Sequence, residues 1–381
     1  MKKLMFLIMI AGICLASFAA VEFPGCSTKN YSVQNSKEFN VKPGGNLKLD
    51  LQSGGDIEIE GWNKDIVSIE IKSHGRGTNI DSYDIRQEGN NITFNNKKRG
   101  KQTDVFVRVP NKFNINFNSV GGDIKITSVD GKLEGKTMGG DLEFRKLKGY
   151  MDITTMGGDI TLKDSEVDGK VETMGGEVLV ENVKGDINAS SLGGNVQHIN
   201  VTGKHKTVGK EIDISTMGGD LDIDKAPNGA KLKTMGGDIA INHAAKFVDA
   251  ETMGGDVKIK EVDGWVKAKT FGGDVYVKMT GDPKSGKRDA DLSSLHGDVT
   301  LVVPAGLSMD IDIQITYTKD YKRECKIVSD FGIKEERTTE WKKEHNNSIP
   351  VKYIYGTGSV AGGKNKIVIS TINGNIYLKK G

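Results

Sequence analysis

Aromatic residues are scarce, at 6% of 381 residues. That is too few to fill a wide globular core, where large rings supply much of the buried area. Seven prolines against 49 glycines mean that the corners of this chain are made by glycine. Three cysteines are too few for a disulfide framework. No charge dominates: 53 basic and 51 acidic residues give a formal net charge of +2, which excludes the phosphate-neutralising surface of a nucleic-acid binder. Long apolar runs are absent after the first residues, where Met1-Lys2-Lys3, an uncharged stretch from Leu4 to Leu15 and Ser17-Phe18-Ala19 follow one another. This order predicts a signal peptide over residues 1–19, cleaved after Ala19. The apolar run is shorter than the roughly 20 residues a membrane span needs, so no span is expected after cleavage. Cys14 leaves with that segment, and Cys26 and Cys325 come from opposite ends of the remainder. Phe23-Pro24-Gly25 is a poor lipobox before Cys26. Neither a disulfide nor a lipid anchor is favoured.

What the chain does have is a repeat. Thr155-Met156-Gly157-Gly158-Asp159 recurs, with the glycine pair at 121, 139, 157, 175 and 193, then at 218, 236, 254 and 272. The interval is 18 residues except for one of 25, the mark of a solenoid. Counting the Met as position zero, +4 and +6 are nearly always apolar, as in Ile160 and Leu162 or Val257 and Ile259. Positions −5 and −3 are apolar again, as in Met151 and Ile153 or Val266 and Ala268. Each alternation is a short strand with one face on a core. The fold expected is all-β, a single-stranded parallel β-helix of about 18 residues per coil. Nine steps at the strand spacing of about 4.8 Å make a rod of roughly 43 Å.

The segments divide as a flexible lead-in at 20–37, an N-terminal β cap at 38–118, the solenoid at 119–303 and a C-terminal β cap at 304–381. The last carries a charged excursion at 319–347, with some helical character from Lys334 to His345. Two coils carry basic insertions, one with Lys204, His205, Lys206 and Lys210, the other with Lys284, Lys287 and Arg288. Insertions on a repeat scaffold often carry binding, so these seven are the candidate ligand-binding residues, suited to an anionic glycan or lipid headgroup.

Three columns run along the rod. Asp123, Asp141, Asp159, Asp220, Asp238, Asp256 and Asp274 stack at +3. Carboxylates at such spacing repel by roughly 1 kcal/mol per pair even in water, so something must offset them. The alternatives are a Ca²⁺ ridge and, favoured, acceptance of backbone N–H groups by each Asp within its own turn. Thr at −1 shares the parity of −3 and −5 and should face the core. Met at zero is read as corner filler, directed inward with the Thr. The six histidines show no ligand spacing, no catalytic triad is apparent, and no cofactor is expected. Gly358 to Lys364 mimics a phosphate loop, but Asn365 replaces the required Ser or Thr and a strand follows.

Several stretches resemble the bacterial putative adhesin family: Phe39-x-Val41-x-Pro43-Gly44-Gly45-x-Leu47, Gly55-Asp56-Ile57-x-Ile59-x-Gly61-Trp62, the Gly-Gly-Asp repeats, Ser329-Asp330-Phe331, and Gly362-Gly363 through Ile376. The resemblance covers nearly all of the chain after residue 19. It implies a right-handed β-helix, in keeping with the handedness of parallel crossovers. It also implies an exported, envelope-associated location (periplasm, outer surface or secreted) and brings no catalytic residues. The reading is a non-enzymatic surface or envelope protein, an adhesin or interaction scaffold for envelope or host glycans or other surface proteins. The alternatives are a polysaccharide-active β-helix enzyme and an envelope-stress sensor.

Overall fold

Alternation of apolar and polar residues becomes strand wherever it occurs. The computed structural model describes residues 33–73, 80, 83–96, 102–203, 211–343 and 349–381, and among these there is no α-helix. Each coil contributes two stretches to two parallel ladders. Leu142–Arg145 pairs with Ile160–Thr173 in the first, and Lys148–Thr155 pairs with the same long strand in the second. Where the corner between the stretches is smooth they fuse, as in Ile239–Thr252 and Val257–Thr270. Register is in phase with the repeat, Val248 on Val266 and Thr252 on Thr270. Equivalent side chains therefore stack, and the columns at +4, +6, −5 and −3 form one buried core along the rod. The fold is the expected all-β parallel solenoid.

The two ends of the rod share one device. Gly45–Leu51 lies between Asn91–Asn96 and Phe113–Ser119, and Ile57–Trp62 lies between Thr103–Pro110 and Ile124–Thr127. At the other end Asn365–Ile372 lies between Ala290–Ser294 and Met309–Thr318. Ile376–Lys380 likewise lies between Val299–Val303 and Ile327–Ser329. The first and last coils of the chain are thus inserted inside the stack rather than laid on its ends. Both still carry the corner signature, Gly54-Gly55-Asp56 and Asn373-Gly374-Asn375. Antiparallel strands close the tips: Val33–Asn40 on Ile66–Ser73, and Met309–Thr318 on Val351–Val360. Val33–Asn40 begins within the stretch read as a lead-in. The helical expectation over 334–345 is corrected where the chain is described: Lys334–Arg337 is an exposed strand on Val351–Val360, and residues 344 and 345 lie outside the described residues. Its glutamates alternate with nothing apolar, so no helical face exists to be buried. Residues 1–19 and Cys26 lie outside the described residues, and Cys325 is a buried free thiol.

One step of the rod is irregular. From the coil of Leu192 to that of Met217 the first ladder continues, Val196 on Leu221 and His198 on Ile223. In the second, Ile187–Ser191 pairs only downward and Ile212–Ser215 only upward among the described residues.

The glycine corner as candidate functional site

The repeated pentapeptide builds one long edge of the rod, and each of its positions has a separate task. Thr at −1 is buried in every copy, Thr155 and Thr252 completely. From Thr173 onward the hydroxyl bridges coils. Thr252 Oγ1 donates to the carbonyl of Gly237 in the preceding coil at 2.8 Å and accepts the N–H of Gly255 at 3.3 Å. A buried hydroxyl is thereby satisfied twice. The second glycine is required by stacking. At Gly140, where φ is +88°, a Cβ would lie 2.1 Å from the carbonyl oxygen of Gly122 in the coil below.

The Asp column is a hydrogen-bonded ladder, and the expectation for it needs correction. Each carboxylate accepts the backbone N–H of the Asp in the next coil, not one in its own turn. The N–H of Asp141 donates to Asp123 Oδ1 at 2.9 Å, and that of Asp159 to Asp141 Oδ1 at 2.9 Å. Higher up, Asp238 donates to Asp220, Asp256 to Asp238 and Asp274 to Asp256, all at 2.7–2.8 Å. The ladder reaches both inserted coils, from Asp104 through Asp56 to Asp123 and from Asp274 through Asp298 to Asn375. Charge-assisted bonds of this kind offset the repulsion between stacked carboxylates. No group of three or more His, Cys, Asp or Glu with metal-holding geometry occurs among the described residues. The ladder stumbles once: the longer Glu177 takes the side-chain amide of Asn195 rather than its N–H.

The Met column points outward. Met138, Met156, Met174, Met217, Met235 and Met253, with Leu192 and Phe271 in the same position, are each 45–57% exposed. Parity explains the correction: if Thr at −1 faces the core, its neighbour at zero must face water. Nine consecutive coils, beginning with Val120, thus carry a half-exposed apolar side chain in a line. It is bordered by bare glycine on one side and the Asp ladder three positions on.

The basic insertions fare unevenly. Lys204, His205, Lys206 and Lys210 lie outside the described residues. Lys284 is exposed, and Lys287 Nζ sits 3.2 Å from Asp289 Oδ2 and 5.7 Å from the ring centre of Trp265. Arg288 is buried. Its guanidinium donates to the carbonyls of Thr280 and Asp282 and to the carboxylate of Asp263, pinning the insertion to the rod. Sequence reasoning passed over His198, which occupies the apolar +6 column between Val180 and Ile223. It is fully buried, neither ring nitrogen has a hydrogen-bond partner, and burial lowers its pKa to about 4. A histidine in a column of valine and isoleucine was the available signal.

A parallel β-solenoid with a glycine-cornered repeat is the class this fold defines. The chain matches the Toastrack DUF4097 family over residues 182–379, more than half its length, and belongs to that family. Among solved structures it is similar to a putative cell adhesion protein from Clostridium sporogenes, at 10% identity and a TM-score of 0.18, covering 91% of this chain and 99% of that one. A putative lipid binding protein from Parabacteroides distasonis matches at 13% identity and a TM-score of 0.29, covering 68% and 95%. A putative adhesin from the same organism matches at 13% identity and 0.26, covering 71% and 90%. No curated protein matches the chain. Among the described residues no helix is long and apolar enough to cross a membrane.

Proposed function

We propose that the protein is an exported, non-enzymatic scaffold of the cell envelope that holds another surface protein along its glycine corner. The observation that carries this reading is the ridge of half-exposed Met, Leu and Phe at position zero. Contiguous apolar surface beyond a few hundred Å² marks an interaction site on a soluble protein, and methionine adapts to varied partners. The residue at zero contributes little to the core, so its apolar character through nine coils needs a reason outside folding. Lys284 and Lys287, both exposed, remain candidates for a secondary contact with an anionic glycan or headgroup.

The reading is tested by replacing Met138, Met156, Met174, Met217, Met235 and Met253 together with serine and fractionating cells that express either protein. The account expects the native chain in the envelope fraction, cross-linked to a protein partner. The variant should melt at an unchanged temperature yet lose the cross-link. A native chain found in the cytoplasm, or an undiminished cross-link in the variant, overturns it.

A further inference from the structure

The exposed ridge and the strip of first glycines beside it occupy the same coils and stop together. Val120-Gly121 opens the run and Phe271-Gly272 closes it. In the coil below, Gln52-Ser53 takes the two places, since the N–H of Val120 donates to the carbonyl of Leu51. In the coil above the places fall to Leu295-His296, where Leu295 is half-buried and the exposed His296 ring sets Nδ1 3.0 Å from the carbonyl oxygen of Phe271. In the lower coils folding does not ask for the first glycine. Gly121, Gly139, Gly157 and Gly175 have no positive φ. A Cβ at Gly121 or Gly139 would meet no atom within 4 Å, and at Gly157 the nearest is the Met138 carbonyl oxygen at 4.0 Å. Higher up, at Gly218, Gly254 and Gly272, a carbonyl oxygen of the coil below comes within 2.8–3.2 Å and stacking itself keeps the strip bare. A smooth channel therefore runs the length of the ridge, and its lower half needs a reason outside the fold. Close approach of another chain is such a reason.

We infer that the occupant of this channel is the ridge of a second copy of the chain, in a side-by-side dimer with both rods pointing the same way. The inference rests on the ridge being a protein contact, and it names the protein. Across the face the order in the repeats is apolar side chain, glycine, glycine, then the acidic ladder. A two-fold axis along the rods turns that order over, so each ridge lies in the other copy's glycine strip, with Met156 of one against Gly157 of the other. An axis across the rods would set ridge against ridge and leave both channels empty. The acidic ladders then fall on opposite outer margins, in water, with apolar surface between them, which is the usual anatomy of an interface. Pitch selects the same partner. A second rod repeats at the same spacing of about 4.8 Å and stays in step throughout, whereas an α-helix, at about 5.4 Å per turn, falls roughly a whole coil behind over the ridge. Nine half-exposed side chains with the strip beside them offer on the order of the 800 Å² per partner that a stable interface buries.

The test is sedimentation equilibrium of the full chain over roughly 1–100 μM, a range that brackets the dissociation constants of specific interfaces of moderate strength. A dimer is expected. Gly139→Gln with Gly157→Gln fills the channel where a Cβ has room, and should weaken association at least tenfold with an unchanged melting temperature. Direction is read from disulfides formed in mixtures of two variants, with the linked peptides identified by mass spectrometry. Met156→Cys should link to Gly157→Cys and not to Met235→Cys, which fully overlapped rods in the reversed arrangement would bring together. Should the glycine variant melt earlier, the linkage alone decides. A chain monomeric throughout the range, undiminished association of a stable glycine variant, or linkage of Met156→Cys to Met235→Cys overturns the inference. A monomer that still cross-links a different protein in cells overturns the dimer and leaves the ridge's role standing, so the two claims fail separately.

Discussion

The step from Met253 to Phe271 and the step from Leu192 to Met217 use the same corner and reach different ends. In the first, nine consecutive register pairs run from Ala244 on Val262 to Thr252 on Thr270, Phe247 stacks on Trp265 with ring centres 4.9 Å apart, and isoleucine fills +6. In the second, among the described residues, three pairs survive in one sheet and none form in the other, and histidine fills +6. The Asp ladder crosses both, since the N–H of Asp220 still donates to Asn195 Oδ1 at 2.8 Å. The corner therefore holds neighbouring coils together without the second sheet. What that sheet adds depends on an apolar +6 and an uninterrupted 18-residue period. A scaffold with a self-sufficient edge can open elsewhere without coming apart.

The comparison can be broken or sharpened in several ways. The largest effect is expected from removing residues 365–381, which strips the inserted coil and bares strand edges on both sides of it. Loss of the cooperative melt and a fall in soluble yield should follow. The N-terminal half of the rod, cut at no new edge, should stay protease-resistant.

Next is acid. His198 has a folded pKa of about 4 against an ordinary 6.5, so the unfolded chain takes up its proton first. The contribution is complete above pH 6.5, is lost as pH falls from 6.5 toward 4, and amounts to about 3 kcal/mol. His198→Val should remove that loss, measured by urea melts at pH 7 and pH 4.5. Ile259→His should import it into a regular step and cost roughly 2–4 kcal/mol at neutral pH.

The buried hydroxyls give a smaller contrast. Thr252→Val should cost about 1–2 kcal/mol by orphaning the buried Gly237 carbonyl and the half-buried Gly255 N–H. Thr216→Val should cost less, about 1 kcal/mol, because its bond to the Gly194 carbonyl is already stretched to 3.4 Å while the one from the Gly219 N–H is still lost. Glu177→Asp should complete the ladder and add about 0.5–1 kcal/mol. Least of all, Met156→Thr should leave the melt within about 0.5 kcal/mol, as befits a ridge that serves binding and not folding.

Much of this was legible in the sequence. The columns at +4, +6, −5 and −3 fixed the core because equivalent residues stack at a constant interval, and the inward Thr followed from parity. The same parity placed Met outside, but an apolar residue beside a corner invites an inward reading. The Asp acceptor was misjudged because a turn and a stacked coil both offer N–H groups, and only the coil pitch decides between them. Arg288 looked like part of a solvated basic loop, and nothing in its spacing disclosed that Asp263 lies beneath it. Insertion of the first and last coils was hidden because chain order says nothing of stacking order, although Gly54-Gly55-Asp56 and Asn373-Gly374-Asn375 carried the corner into both caps.

Amide hydrogen exchange on the full chain compares the two steps within one molecule. The account predicts that amides of Ile187–Ser191 and Ile212–Ser215 exchange well ahead of the matching amides at 248–252 and 266–270, while Val196–Ile199 stays protected. Equal protection across both steps would contradict it, because the second ladder would then run unbroken through both.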